Sequence, residues 1–83
     1  MVVQFDASWC PYCRKIQPLL NDLARDKAGQ VAVYRVDIDA EPGLAQLFEV
    51  ESLPTLILIK KGQVAGELSG VPSKAKLYLW ASR

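Results

Sequence analysis

The apolar positions fall into runs that alternate between strand-like and helix-like spacing. Val2 to Ala7 is a short apolar run suited to a core strand. Residues 11–28 switch to a helical period, with Tyr12, Ile16, Leu19, Leu20, Leu23 and Ala24 on one stripe. Pro11 falls in the first turn, where its missing N–H costs nothing. Pro18 lies mid-helix and predicts a kink, and Gly29 predicts the end, with Lys27 in the last turn. Val31 to Ile38 is rich in β-branched residues and reads as a second strand. Asp39 to Gly43 opens a short helix through Leu44, Ala45, Leu47 and Phe48. The unbroken apolar run Thr55 to Ile59 suits a strand buried on both faces. Lys61-Gly62-Gln63 is a hairpin turn into a fourth strand, Val64 to Leu68. Ser69 to Pro72 breaks the chain, and Ser73 caps a last helix carrying Leu77, Tyr78 and Trp80.

The predicted order is β-α-β-α-β-β-α. The first three elements require parallel strands joined by a right-handed crossover, and the hairpin adds two antiparallel strands. The economical fold class is α/β: one mixed four-stranded sheet with helices on its faces. Sites in open α/β sheets gather at the carboxyl ends of strands. The 83 residues predict a single domain, residues 1–83.

Composition narrows the field. At 51% hydrophobic and 23% charged the chain has material for a core, which excludes disorder on compositional grounds. Ten basic against nine acidic residues give a net charge of +1, which points to neither nucleic acid nor membrane as partner. Lys60-Lys61 reads as solvated surface. For Arg14-Lys15, adjacent to the cysteines, surface and functional readings weigh equally. No apolar run reaches the roughly 18 residues of a membrane span, and no leader signature follows Met1. A cytoplasmic monomer is the expectation.

The candidate chemistry is Trp9-Cys10-Pro11-Tyr12-Cys13. Residues three apart in a first helical turn share a face, so the two sulfurs can close a disulfide with modest rearrangement. So small a loop constrains the unfolded chain little, which makes a purely structural staple poor value. Cys10 at the helix start would meet unpaired N–H groups and the positive end of the helix dipole. Both lower a thiol's pKa, and the thiolate is the attacking species. Arg14 and Lys15 add positive potential. Cys13, one turn in, is expected to be more buried and less acidic. Cys10 is therefore assigned as the attacking thiol and Cys13 as the resolving one. Two cysteines with no histidine cannot supply an ordinary zinc site, and Cys–His catalysis is excluded with it. An iron–sulfur cluster bridging two chains and inert buried thiols stand as alternatives.

These residues resemble the thioredoxin family. Val3 to Cys10 is similar to the strand and tryptophan preceding its redox motif, and Pro18 falls at its helix-kinking proline. Val36 to Asp39, with Pro42-Gly43, resembles its second-strand region. Val50 to Leu56 resembles the segment holding its cis-proline, and Lys61 to Val64 with Gly70 matches its hairpin turn and following glycine. The resemblance implies that Leu53–Pro54 is cis and lies beside the disulfide, with the backbone of Leu53 pairing an extended substrate segment. It implies that Trp9, Pro11 and Tyr12, with Gly70, Val71 and Pro72, form an apolar docking rim. It further implies a thiol–disulfide oxidoreductase that reduces protein disulfides with no cofactor or metal beyond the Cys10–Cys13 couple. The donor would be a thioredoxin-reductase-like partner or glutathione.

Three departures matter. Thioredoxins begin with an extra strand and helix not found in this sequence, which makes it glutaredoxin-sized. Cys-Pro-Tyr-Cys is the glutaredoxin motif, yet Ser69 to Ser73 lacks the acidic residue with which glutaredoxins hold glutathione. Gln4 stands where the family carries a buried acid that assists the resolving cysteine, and Gln4 cannot take a proton. Arg35 aligns with the lysine partnering that acid. Asp6 shares the strand face of Gln4 and is either its substitute or, on the simpler reading, a solvated strand-end residue. Glutathione-dependent activity, a non-catalytic binding module and an iron–sulfur carrier are the alternative functions.

Overall fold

The computed structural model describes residues Met1–Arg83. It runs β1 (Val2–Asp6), α1 (Pro11–Asp26), β2 (Val33–Asp37), α2 (Pro42–Leu47), β3 (Thr55–Lys60), β4 (Gln63–Ser69) and α3 (Lys74–Ala81). The strands form one sheet in the order β2-β1-β3-β4. β1 pairs parallel with β2 from Val2↔Val33 to Asp6↔Asp37 and antiparallel with β3 from Val2↔Leu58 to Phe5↔Thr55. β3 and β4 complete an antiparallel hairpin. The mixed α/β sheet therefore has the element order that the apolar spacing predicts.

The main core lies between one sheet face and the helices α1 and α3. α1 buries Cys13, Ile16, Leu20 and Leu23, spaced three, four and three residues apart. Ile16, Leu20 and Leu23 pack with Val2, Leu56, Leu58, Leu77 and Trp80. Each such apolar side chain contributes about 1.5–3 kcal/mol on burial. The buried stripe starts at Cys13, and Tyr12, expected on it, is exposed. α1 ends at Asp26, where the N–H of Lys27 caps the helix on the Leu23 carbonyl, and Gly29 turns away at φ 84°. The helix continues through Pro18.

The opposite sheet face is covered more thinly. Phe48, at the C-terminal end of α2, packs its ring 5.6 Å from that of Phe5. α2 itself buries no residue, because its six residues make little more than one turn; Leu44 and Leu47 face outward. β3 is buried from Thr55 to Leu58, as its lack of alternation predicts. Lys61 and Gly62 both take positive φ, 54° and 76°, in the two-residue turn that leads into β4.

α3 is held at its start and along its length. The Ser73 hydroxyl accepts the Lys76 N–H at 3.2 Å, the cap that the sequence predicts. Tyr78 donates its hydroxyl to Asp26 Oδ2 at 2.7 Å, which ties α3 to the end of α1. Burial, together with the hydrogen bond to Asp26, pushes the Tyr78 phenol up to about 12. The same hydrogen bond holds the Asp26 carboxyl below its ordinary value. Gly66 lets α3 approach β4: a Cβ there would lie 2.9 Å from Trp80 Nε1. No helix is long and apolar enough to cross a membrane.

Candidate active site

β1 delivers the chain to its carboxyl end at Asp6, and the turn Ala7-Ser8-Trp9 leads directly into α1. The Cys10 N–H closes that turn on the Ala7 carbonyl at 3.1 Å. Cys10 is the N-cap of α1, with extended backbone (φ −92°, ψ 111°), and its Sγ accepts the Cys13 N–H at 3.2 Å. A sulfur thus fills the place usually held by a capping oxygen. Pro11 occupies the first turn, where it needs no N–H partner. Cys10 and Cys13 are disulfide-linked, with Cα atoms 5.3 Å apart. Both are buried, at 4% and 3% exposure, so the expected difference in burial is absent in the oxidised form. Ala7, Ile38 and Leu53 pack around the pair.

The two sides of the disulfide differ in chemistry. On the Cys10 side lies an apolar groove of about 340 Å³, walled by Trp9 to Tyr12, Ile38, Ala45 and residues 50–53. Trp9 is 63% exposed, and its indole N–H donates to Asp39 Oδ2 at 2.9 Å, which leans the ring toward the chain following β2. Leu53 packs against the cysteine cluster, and its own N–H and C=O make no backbone hydrogen bond. The Leu53–Pro54 peptide is cis. Gly70 donates its N–H to the Pro54 carbonyl at 3.0 Å, so the end of β4 sits beside that proline. Val71 is exposed next to it and, like Gly70, does not line the groove.

On the Cys13 side is a polar cavity of about 310 Å³ lined by Asp6, Ser8, Cys13, Arg14, Gln17 and Arg35. Asp6 is not the solvated strand-end residue of the simpler sequence reading. Its side chain is 3% exposed, and Asp6 Oδ2 accepts from Arg35 Nε at 2.9 Å and Nη2 at 2.6 Å. A carboxylate on the inward face of β1 would carry a large desolvation cost alone. Arg35, opposite Gln4 on the parallel strand β2, reaches it and supplies the compensating charge. Gln4 is buried beside Asp6: its Nε2 donates to Asp6 Oδ2 at 3.4 Å and to Gln17 Oε1 at 3.2 Å. With both donors directed there, Gln4 Oε1 has no partner. Arg14 donates to the Ser8 carbonyl at 3.0 Å, holding the turn before Cys10, while the Lys15 ammonium lies 5.1 Å from the Tyr12 ring centroid.

The structure brings Cys10, Cys13, Trp9, Pro11, Tyr12 and Leu53 together, and gathers Asp6, Arg14 and Arg35 behind Cys13. Sequence reasoning passed over Ile38, Ala45, Val50 and Glu51 as groove walls. They stand on connections and a short helix, where no periodicity marks a face. A signal was nonetheless present, since Ile38 and Val50 are apolar residues just outside a strand and a helix, beside the motif's expected position.

Comparison with known proteins matches residues 1–83 to the family model described as Thioredoxin. The chain is 43% identical over 70 residues to thioredoxin H4 of Arabidopsis thaliana, covering 84% of this chain and 59% of that protein. It is 36% identical over 77 residues to the bifunctional thioredoxin reductase/thioredoxin of Mycobacterium leprae, covering 93% of this chain and 17% of that one. Mitochondrial thioredoxin 3 from Saccharomyces cerevisiae, in its oxidized form, superposes with a TM-score of 0.90 at 32% identity, covering 98% of this chain and 74% of that one. The chain thus spans about three fifths of the length of the Arabidopsis relative.

Proposed function

The chain belongs to the thioredoxin family, and from that membership and the placement of Cys10 we propose that it is a thiol–disulfide oxidoreductase that reduces protein disulfides. The observation that carries this reading is the Cys10 sulfur at the N-cap of α1, accepting the Cys13 N–H at 3.2 Å. In the reduced chain that position favours an anion on Cys10 through the helix dipole and a charge-assisted hydrogen bond.

The Cys10 thiolate attacks one sulfur of a substrate disulfide, forming a mixed disulfide and releasing the other substrate sulfur as a thiolate. Cys13 loses its proton and attacks Cys10 Sγ. This regenerates the Cys10–Cys13 disulfide and frees the second substrate thiol. Two electrons have then passed from the chain to the substrate. The free N–H and C=O of Leu53 give an extended segment of substrate backbone a place to pair beside Cys10. Asp6 is the group to accept the Cys13 proton, because it lines the same polar cavity and Gln4 has no proton to exchange. Arg35 holds it in place, and Arg14 fixes the turn that carries Cys10. Re-reduction requires two electrons from a thiol donor. The Mycobacterium leprae relative, described as a reductase and thioredoxin in one chain, favours a thioredoxin-reductase-like protein over glutathione.

Reduction of insulin disulfides tests the reading. Turnover should be lost in Cys10→Ser, and a mixed disulfide with substrate should accumulate in Cys13→Ser. Full turnover in Cys10→Ser would overturn the assignment. Turnover driven by glutathione but not by a thioredoxin reductase would overturn the donor.

A further inference from the structure

Charge is distributed unevenly along this nearly neutral chain. Five of its nine acids, Asp37, Asp39, Glu41, Glu49 and Glu51, fall between Arg35 and Lys60, and that interval contains no basic residue. All five are exposed. The four salt bridges of the fold engage Asp6, Asp22 and Asp26, so none of the five has a basic partner within the chain. The same stretch supplies the outer wall of the apolar groove beside Cys10, with Glu51 lining it directly and Asp39 holding the Trp9 indole at its rim. Arg14 and Arg35 open onto the other side, around Cys13, and Lys15, against the Tyr12 ring, is the one base at the groove's edge.

We propose that this groove selects its substrate segments by charge. It takes an extended segment in which the disulfide cysteine is flanked by a large apolar residue and, beyond it, by lysine or arginine. The inference rests on the oxidoreductase reading and adds the class of substrate. The groove is roomy and apolar enough for one large side chain. Glu51 on its wall and Asp39 at its rim, backed by the other three acids of the stretch, give it a negative potential that the single Lys15 ammonium, against Tyr12, only partly offsets. A basic segment is drawn in by that field and an acidic one is repelled, and the discrimination acts mostly on the association rate. The chemistry is unchanged: the substrate disulfide gains two electrons, and Cys10 and Cys13 lose them.

The test is single-turnover oxidation of the prereduced chain by two peptides of equal length. Each is closed by an internal disulfide next to phenylalanine, and they differ only in carrying lysines or glutamates beyond it. Hydroxyethyl disulfide, small and uncharged, is the third oxidant. At about 0.01 M salt, where the screening length is about 30 Å, the lysine peptide should react about tenfold faster than the glutamate peptide. At about 1 M salt, where screening shortens to about 3 Å, the two rates should converge. Replacing Glu49→Lys and Glu51→Lys together removes most of the stretch's net negative charge and should bring the two low-salt rates of that variant close together. Equal rates at low salt, or a faster glutamate peptide, would overturn the inference while hydroxyethyl disulfide still oxidises the chain. If none of the three oxidises it, the oxidoreductase reading falls and takes the inference with it. The comparison on the unaltered chain depends on no variant folding.

Discussion

Unfolding the oxidised and the reduced chain side by side weighs two opposed effects. In the oxidised form a bridge between residues three apart removes roughly 2 kcal/mol of freedom from the unfolded chain, which stabilises the fold. In the reduced form the Cys10 sulfur becomes an anion at the N-cap of α1. There the dipole and the Cys13 N–H stabilise the folded state by about 1 kcal/mol. The first effect exceeds the second, so the oxidised chain should be the more stable by about 1 kcal/mol, which corresponds to about 20 mV for a two-electron couple. That sign carries function. Where folding favours the disulfide, the folded dithiol is a better reductant than the same four residues in an unfolded chain, as a disulfide reductase requires.

Urea titration followed by far-ultraviolet circular dichroism, with and without excess dithiol, reads the difference directly. With an m-value of about 1 kcal/mol/M, the midpoint should fall on reduction by about 1 M at a pH where Cys10 is fully ionised and by up to about 2 M where it is not. The gap should narrow as pH rises, because the anion contributes only where Cys10 is ionised. A reduced chain more stable than the oxidised one by 1 kcal/mol or more at pH 7 would refute the reasoning. It would mean that the anion is held more strongly than one helix end explains, and that folding makes the disulfide a better oxidant instead of the dithiol a better reductant.

Other outcomes follow from particular contacts. Asp6→Asn should slow decay of the mixed disulfide by about 100-fold, the lower end of general acid–base contributions; quenched-flow trapping reads this, and an unchanged decay would remove Asp6 from the proton path. Gly66→Ala should lower stability by about 1–3 kcal/mol, since its Cβ would meet the buried Trp80 ring at 2.9 Å, and an unshifted urea midpoint would contradict that packing. Tyr78→Phe should destabilise the fold across a pH plateau that closes at both ends. The depressed Asp26 carboxyl contributes above its unfolded value of 3.8 and loses that contribution as pH falls through its lower folded value. The raised Tyr78 contributes below 10.0 and loses that contribution as pH climbs to about 12. A destabilisation that does not change with pH would show that the hydrogen bond is not its cause.

How much was legible in the sequence differs from element to element for physical reasons. β3 was plain because a strand buried on both faces needs no alternation to be seen. β2 came out shorter than its β-branched content, since its pairing with β1 runs only from Val33 to Asp37, and Ile38 survives as a single hydrogen bond to the Asp6 carbonyl at 3.0 Å. The α1 stripe was misplaced by one residue at its start. The spacing 13, 16, 20, 23 fits the helix as well as one beginning at Tyr12, but a cysteine is easily read as chemistry rather than as packing. The burial of Asp6 could not be seen along the chain at all. It depends on the strand register that sets Arg35 opposite Gln4, two residues from Asp6, and register is a property of the assembled sheet.

That register also explains how the site tolerates Gln4. In a strand, residues two apart share a face and lie about 7 Å apart along it. A carboxylate at position 6 therefore stays on the face beneath α1 but moves one step toward the carboxyl end of β1, where Ala7 and Cys10 follow. The shift takes it out of the packed centre of the sheet and into the cavity that also opens on Cys13. Arg35 can follow because its long side chain reaches diagonally from its place opposite Gln4 while most of it remains in solvent, 62% exposed. A lysine could carry the charge but not the two N–H bonds that Nε and Nη2 direct to one carboxylate oxygen. Arginine on β2 and aspartate at position 6 are thus a coupled pair. Gln4, beside that pair, links Asp6 to α1 through its amide and Gln17, at the cost of one buried carbonyl oxygen without a partner.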